Sequence, residues 1–270
     1  MSSSYYVPHE TKWPFLATLA LMIMFIGLAN YMNDESTLTL TFTGLGLLLL
    51  VIYGWFSYVV RESEGGLYDD QVDMSFRWGM AWFIFSEVMF FAAFFGALYY
   101  ARELSLPWLG GDGSGVSTNQ ELWPSFENVW PSNGPANYGG DFVVMKAAGI
   151  PALNTIILLI SGLTVTWAHH GLKEGKRNQL VLGLIATVLL GFIFVGFQAY
   201  EYSHAYNDLN LKMTSGIYGS TFYMLTGFHG FHVTLGAIML TVILFRCIKG
   251  HFTNENHFGF EAVAWYWHFV

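Results

Sequence analysis

Long apolar runs separated by short polar stretches dominate the chain. An α-helix needs about 20 predominantly apolar residues to cross a hydrocarbon core about 30 Å thick. Six runs reach this length, near residues 15–32, 38–60, 74–101, 150–170, 178–202 and 217–247. The pattern therefore predicts an all-α integral membrane protein that forms a single membrane domain over residues 1–270.

A seventh apolar and aromatic segment covers residues 256–270. At the helical rise of 1.5 Å per residue, this segment reaches only about 22 Å, which is short of the hydrocarbon thickness. We therefore expect a seventh transmembrane helix that continues past Val270. At the other end, residues 1–13 lack the features of a cleavable signal peptide, so the first span should be retained.

The composition agrees with a membrane protein, because only 11% of the residues are charged whereas a soluble domain has roughly 25%. The formal net charge of −8 argues against nucleic acid as a partner. The single cysteine, Cys247, excludes an intramolecular disulfide and a cysteine-rich metal site. We find no glycine-rich phosphate loop and no nucleophile elbow in the sequence.

The basic residues predict the orientation. Loops on one side of the predicted membrane hold eight of them: Lys12, Arg61, Arg77, Lys173, Lys176, Arg177, Arg246 and Lys249. The other side holds three: Arg102, Lys146 and Lys212. By the positive-inside rule the N-terminus should be cytoplasmic and the loop 102–149 periplasmic. Glycine, proline, serine and asparagine are frequent in this loop, which favours ordered turns rather than another helix.

Glu87 is the strongest candidate site. It lies ten residues after Arg77 within an apolar run, and the next basic residue is Arg102. The helical rise places this carboxyl near mid-bilayer, where a charge costs at least about 2.5 kcal/mol. Desolvation favours the neutral acid, so Glu87 could exchange a proton or donate a hydrogen bond to a buried acceptor. The simpler alternative is that one hydrogen bond pins its helix to a neighbour.

Several histidines have alternative interpretations. His229 and His232 are three residues apart on one helix face and could ligate haem or a metal, but packing and interhelical hydrogen bonds explain them better. His169 and His170 end the fourth span, where helix capping is expected. Glu201 lies near the outer end of the fifth span, and we interpret it as a solvated interfacial residue.

Charged residues that terminate spans two and six on the predicted cytoplasmic side, together with two aromatic residues, form a candidate lipid site. A lipid phosphate could bind there, although snorkelling cations contact headgroups nonspecifically in most membrane proteins. The candidate residues are Trp55, Arg61, Glu62, Phe83, Arg246, Lys249 and His251.

Five sequence blocks together resemble subunit III of the haem–copper cytochrome c oxidases. They begin with Phe85-Ser-Glu-Val-Met-Phe-Phe and Pro151-Ala-Leu-Asn-Thr. Further along the chain are Gln198-Ala-Tyr-Glu-Tyr, Gly227-Phe-His-Gly-Phe-His-Val and His257-Phe-Gly-Phe-Glu-Ala-Val-Ala-Trp-Tyr-Trp-His. The resemblance covers about residues 10–270, and the longer loop 105–145 suggests a bacterial member.

The resemblance implies seven helices, arranged as two plus five around a V-shaped cleft that holds phospholipids. Such a subunit binds no cofactor of its own, because haem a, haem a3, CuA and CuB belong to partner subunits. The implied partners are subunits I and II, with a small subunit IV or a respiratory supercomplex as further candidates. The implied role is support of proton uptake and of the stability of subunit I during electron transfer from cytochrome c to oxygen.

Residue roles follow from the same resemblance. Glu87 matches the carbodiimide-reactive carboxylate of the family. The charged candidates named above for the lipid site match its lipid-contacting stretches. The sequence departs from the family pattern at Tyr68-Asp69-Asp70, Phe56 and Asn256, which puts individual headgroup contacts in doubt.

Two other functions remain open from the sequence. Subunit III of a quinol oxidase is similar, but it usually lacks the first two spans. A stand-alone proton-coupled transporter could also use Glu87, although no inverted repeat is visible. Copurification with haem-bearing subunits would distinguish an oxidase subunit from a transporter.

The predicted orientation can be tested by cysteine labelling of intact cells. A membrane-impermeant thiol reagent should modify a cysteine placed at Ser114, in the external loop, and should not modify one at Ser2. The reverse labelling pattern would show that the positive-inside rule fails for this chain.

Overall fold

The computed structural model describes Tyr6, residues 11–33 and residues 37–270. Over these residues all regular secondary structure is helical. The α-helices are α1 Trp13–Met32, α2 Thr39–Glu64, α3 Asp70–Tyr100, α4 Leu106–Leu109, α5 Val116–Leu122, α6 Ile150–Lys173, α7 Arg177–Asn207, α8 Gly216–Lys249 and α9 Phe258–Phe269. A π-helical turn covers Ala101–Ser105 and a 3₁₀ turn covers Gly113–Gly115. The proposed labelling position Ser2 lies outside the described residues.

Six of the described helical segments are long and apolar enough to cross a membrane. They are α1, α2, the continuous run Asp70–Leu109, α6, α7 and α8. The prediction of an all-helical membrane protein is therefore confirmed. Helix α9 has 12 residues, which rise about 18 Å, so it is shorter than these six.

Local sequence explains where several helices begin and end. Pro14 and Pro151 lie in the first turns of α1 and α6, where a proline costs no helical hydrogen bond. The Asp69 carboxylate accepts a hydrogen bond from the Val72 amide at 2.9 Å and so caps the start of α3. At the end of α8, Gly250 has a left-handed conformation with φ of 80°, which lets the next amide reach the Arg246 carbonyl.

The chain divides into two compact units, Met1–Arg77 and Trp78–Val270. In the first unit, α1 and α2 approach closely at two glycines. A Cβ atom on Gly27 would lie 2.5 Å from the backbone nitrogen of Thr41, and a Cβ atom on Gly44 would clash with the backbone of Met24. Small residues at helix crossings let backbones approach in a membrane, so these glycines determine how the pair packs.

The second unit has its core among α6, α7, α8 and α9. Five core residues are fully buried: Val165, Ala168, Leu184, Val233 and Ala237. The indole of Trp267 packs where a Cβ atom on Gly191 or Gly236 would lie, and its Nε1 donates to the Ser161 hydroxyl at 3.0 Å. The glycines thus make room for a large aromatic side chain that also satisfies its own polar atom.

The part of α3 in the second unit packs differently. No residue between Trp78 and Tyr100 is buried. One stripe is half-buried, and it comprises Met80, Ile84, Glu87, Phe90, Phe91, Phe94 and Leu98. Its aromatic rings contact α8 and α9, for example Phe90 against Phe228 with ring centroids 4.9 Å apart. The rest of this helix surface is exposed and apolar, as expected for contact with lipid or another membrane chain.

The structure contradicts the expectation that the segment 102–149 forms turns without a helix. The segment contains helices α4 and α5, although the sequence favoured ordered turns. Val116–Leu122 carries no glycine or proline, so neither of the two strong helix breakers opposes a short helix there. The later part of the segment folds onto the connection between α7 and α8, where the amide of Val143 donates to the Leu209 carbonyl at 2.9 Å.

The crossing of α1 and α2 predicts opposite effects for two nearby glycines. Gly44→Ala should destabilise the packing by about 1–3 kcal/mol, because the added methyl group meets the α1 backbone. Gly46→Ala is the matched control: nothing lies within 4 Å of a Cβ atom at that position, and alanine is the better helix former. Unfolding in detergent should therefore occur earlier for Gly44→Ala and no earlier for Gly46→Ala. Equal stability of the two variants would contradict the close crossing.

Candidate proton-linked site

Glu87 lies in the interior of α3, far from the charged residues of the same helix. It is ten residues from Arg77 and fifteen from Arg102, which correspond to about 15 Å and 22 Å along the helix axis. Its side chain is 20% exposed. The carboxyl group is therefore largely withdrawn from solvent at a depth where charge is costly.

The partner of Glu87 is His232 on α8, 145 residues later in the sequence. Its Nε2 lies 2.8 Å from the Glu87 Oε2, and its side chain is 9% exposed. The same imidazole places Nδ1 2.6 Å from the backbone carbonyl oxygen of Phe228. The interpretation of His232 as a residue of interhelical hydrogen bonding is confirmed.

These two contacts restrict the protonation states of the pair. Because the Phe228 carbonyl can only accept, His232 Nδ1 must carry a proton. Nε2 then either accepts a hydrogen bond from a protonated Glu87 or, in the imidazolium form, donates one to the carboxylate. The pair has no net charge in either form, which explains how both groups are tolerated within a membrane span.

Aromatic rings surround His232. Its ring centroid lies 5.2 Å from that of Phe91, 5.6 Å from that of Phe231 and 6.4 Å from that of Tyr266. Such surroundings have a low local dielectric, which strengthens the hydrogen bond to Glu87 and raises the cost of breaking it.

His229 does not join His232 in a ligand set. Its Nε2 contacts the carbonyl oxygen of Val270 at 3.1 Å, and its ring packs edge-on against Phe194. Within the described residues, no group of three or more His, Cys, Asp or Glu side chains could hold a metal ion.

The interpretation of Glu201 as an interfacial, solvated carboxylate is wrong. The residue is 6% exposed, and its Oε1 has no hydrogen-bond partner among the described residues. It borders a cavity of about 720 Å³ inside the second unit, together with Asn154, His229 and Val270. Helix α7 continues to Asn207, so Glu201 lies well within the helix rather than at its end.

Asn154 was not among the sequence candidates, although it belongs to the Pro151-Ala-Leu-Asn-Thr block. It is 3% exposed, and neither atom of its amide group has a partner among the described residues. A buried polar side chain is the signal that could have identified it, but burial is not visible in the sequence.

The expectation that His169 caps the end of its helix is wrong. Its ring lies against those of His257 and Phe260, with centroid separations of 5.5 Å and 5.3 Å. The imidazole therefore packs laterally between α6 and the start of α9. His170, the next residue, is exposed in the last turn of α6.

The lipid-site candidates are distributed over both units. Trp55, Arg61 and Glu62 belong to the first unit, and Phe83 and the three basic residues belong to the second. Arg61 and Lys249 are exposed. The Arg246 guanidinium lies 4.3 Å from the ring centroid of Phe252, so its position is supported by a cation–π contact.

Glu62 differs from the other candidates because it is buried. It is 7% exposed, and hydrogen bonds from Tyr6 and Tyr68 occupy its two carboxylate oxygens. Whether any of the seven candidates binds lipid stays a prediction.

The fold and the paired acid define a multi-pass helical membrane protein with a hydrogen-bonded carboxyl–imidazole pair inside a span. The family profile of cytochrome c oxidase subunit III matches residues 3–270. The chain belongs to this family, as the resemblance of the sequence blocks indicated.

Individual relatives agree with the family assignment. The chain is 42% identical to cytochrome c oxidase subunit 3 of Carassius auratus over 268 residues, which cover 99% of this chain and 92% of the relative. It is 41% identical to the subunit of the same name from Gadus morhua over the same shares of both chains. The identity to that of Pongo abelii is also 41%, over 100% of this chain and 92% of the relative.

The Glu87–His232 geometry predicts selective chemical labelling. A protonated carboxyl transfers its proton to a nitrogen of a hydrophobic carbodiimide in the lipid phase and adds through its oxygen to the central carbon, and one of the two forms of the pair supplies that protonated carboxyl. We expect mass spectrometry to find the adduct on Glu87, while exposed acids such as Glu121 and Glu127 remain unmodified. An adduct pattern spread over the exposed acids would contradict a protonated Glu87.

Proposed function

We propose that this chain is the non-redox subunit III of an aa3-type cytochrome c oxidase, and that it supports proton uptake and the stability of subunit I during electron transfer from cytochrome c to oxygen. The observation that supports the proposal is the Glu87–His232 hydrogen bond at 2.8 Å inside a membrane span. Intramembrane ionisable residues are costly and are usually retained for function.

The pair is suited to hold one proton rather than to conduct protons. The proton can lie on Glu87 Oε2 or on His232 Nε2 without changing the net charge of the pair. On the far side of the imidazole, Nδ1 contacts the Phe228 carbonyl, which accepts a hydrogen bond but cannot pass a proton onward. This geometry favours a supporting role over an obligatory step in proton conduction.

The proposal includes the partners and the membrane setting. Subunits I and II would carry haem a, haem a3, CuA and CuB. A subunit IV or a supercomplex would be a further partner. The complex would lie in a bacterial cytoplasmic membrane, with the N-terminus of this chain cytoplasmic and the segment 102–149 periplasmic. Helix α9 would belong to a seventh span.

The lipid assignment is part of the same proposal. Phospholipids would occupy a cleft. Of the seven sequence candidates, we keep as proposed contacts Trp55, Arg61, Phe83, Arg246, Lys249 and His251, whereas both oxygens of the seventh, Glu62, already accept hydrogen bonds from tyrosines. The exposed cations Arg61 and Lys249 in the last turns of α2 and α8, and the cation–π contact of Arg246 with Phe252, support this assignment. The presence of α1 and α2 favours the cytochrome c enzyme over a quinol oxidase.

The test is Glu87→Gln in the assembled oxidase. Glutamine keeps the size and donates a hydrogen bond to His232 Nε2, but it cannot release a proton. We expect normal haem content and largely unchanged initial oxygen reduction. We also expect the variant to take up protons more slowly, to pump fewer protons per electron or to lose activity faster during turnover.

Glu201→Gln is the matched control, since Glu201 is a buried carboxyl in the same unit that lacks a histidine partner among the described residues. It should leave proton uptake as in the wild type. If Glu87→Gln abolished oxygen reduction in a fully assembled complex with normal haem content, Glu87 would lie on an obligatory proton path and the supporting role would be wrong.

A further inference from the structure

Two tyrosine hydroxyls converge on one buried carboxylate in the first unit. Tyr6 donates to Glu62 Oε1 at 2.6 Å, and Tyr68 donates to Glu62 Oε2 at 2.8 Å. Tyr6 precedes α1, Glu62 lies in the last turn of α2, and Tyr68 lies in the connection between α2 and α3. One carboxylate therefore joins three segments, the first of them 56 residues away in sequence.

Ring contacts reinforce the hydrogen bonds. The rings of Tyr6 and Tyr68 have centroids 5.9 Å apart, and Tyr68 packs edge-on against Phe76 at 5.0 Å. The backbone carbonyl of Glu62 also accepts a hydrogen bond from the Leu67 amide at 3.3 Å. Both ends of the α2–α3 connection are thus fastened around the same residue.

Each carboxylate oxygen of Glu62 accepts a hydrogen bond from one of these two phenols. Its residual exposure of 7% leaves little surface for an external ligand. The hydrogen bond to Glu62 raises the pKa of Tyr6 to about 12, and burial together with Glu62 raises the pKa of Tyr68. Both phenols therefore stay protonated at physiological pH, where they act as donors.

We propose that Tyr6, Glu62 and Tyr68 form a strap that fastens the chain at Tyr6 to the α2–α3 connection. In the fastened state the tyrosine hydroxyls occupy both oxygens of Glu62. Release of Tyr6 would uncover one oxygen of this carboxylate at the end of α2. The strap assigns Glu62 a role in holding the chain together, in place of the direct contact with a lipid headgroup that the sequence resemblance implied.

Hydrogen exchange on the full chain in its purified complex tests the strap. Tyr6→Phe, Tyr68→Phe and Glu62→Gln should each increase amide exchange in the peptide covering residues 63–69 by about tenfold. The Leu67 amide there donates to the Glu62 carbonyl, and each variant removes or weakens a hydrogen bond that holds Glu62 in place. Tyr58→Phe is the matched control: Tyr58 lies one turn before Glu62 on α2 and is 44% exposed, so exchange in this peptide should equal that of the wild type.

A double variant separates the strap from general loosening. If the two residues act through one bond, Tyr6→Phe combined with Glu62→Gln should increase exchange in the peptide covering residues 63–69 hardly more than Glu62→Gln alone. Unchanged exchange in this peptide in both single variants would overturn the proposal. Loss of a copurifying phospholipid from Glu62→Gln but not from Tyr6→Phe, with unaltered exchange, would also overturn it and would restore Glu62 as a headgroup ligand.

Discussion

The hydrogen bond between Glu87 and His232 is the constraint on which the site in the second unit depends. A carboxyl inside a span is tolerated only when a partner removes its net charge, and the imidazole does so in either protonation state. The bond also joins α3 to α8 where α3 buries none of its residues between Trp78 and Tyr100. Interhelical hydrogen bonds in membranes contribute about 0.6–2 kcal/mol, which matters most where apolar packing is thin.

Hydropathy was sufficient to predict six membrane-spanning helices, because a chain in lipid must satisfy its backbone hydrogen bonds within each span. It was less informative about where those helices end. Helix α7 continues to Asn207 and α3 begins at Asp70, since polar residues extend both helices beyond their apolar runs. Helix α5 was missed for a related reason: the glycine and proline content of the whole segment 102–149 masked one short stretch that contains neither residue.

The chemistry of individual acids depended on tertiary contacts that the sequence does not show. Glu87 could be found from its depth in an apolar run, but its partner lies 145 residues away. Glu201 was misjudged because its position near the end of an apolar run suggested solvent, whereas α7 continues past it and buries it. Glu62 was expected at a headgroup, yet a tyrosine from outside the six spans reaches it.

Two glutamates, Glu62 in the first unit and Glu87 in the second, each form a hydrogen bond to a side chain that is distant in sequence. Glu62 receives two phenols that keep their protons at physiological pH, so its hydrogen bonds change only if the chain moves. Glu87 faces an imidazole, and the proton between them can lie on either side of the hydrogen bond without movement of the chain. The difference lies in the partner rather than in the carboxyl group. It is the reason for proposing a proton-linked role for Glu87 and a fastening role for Glu62.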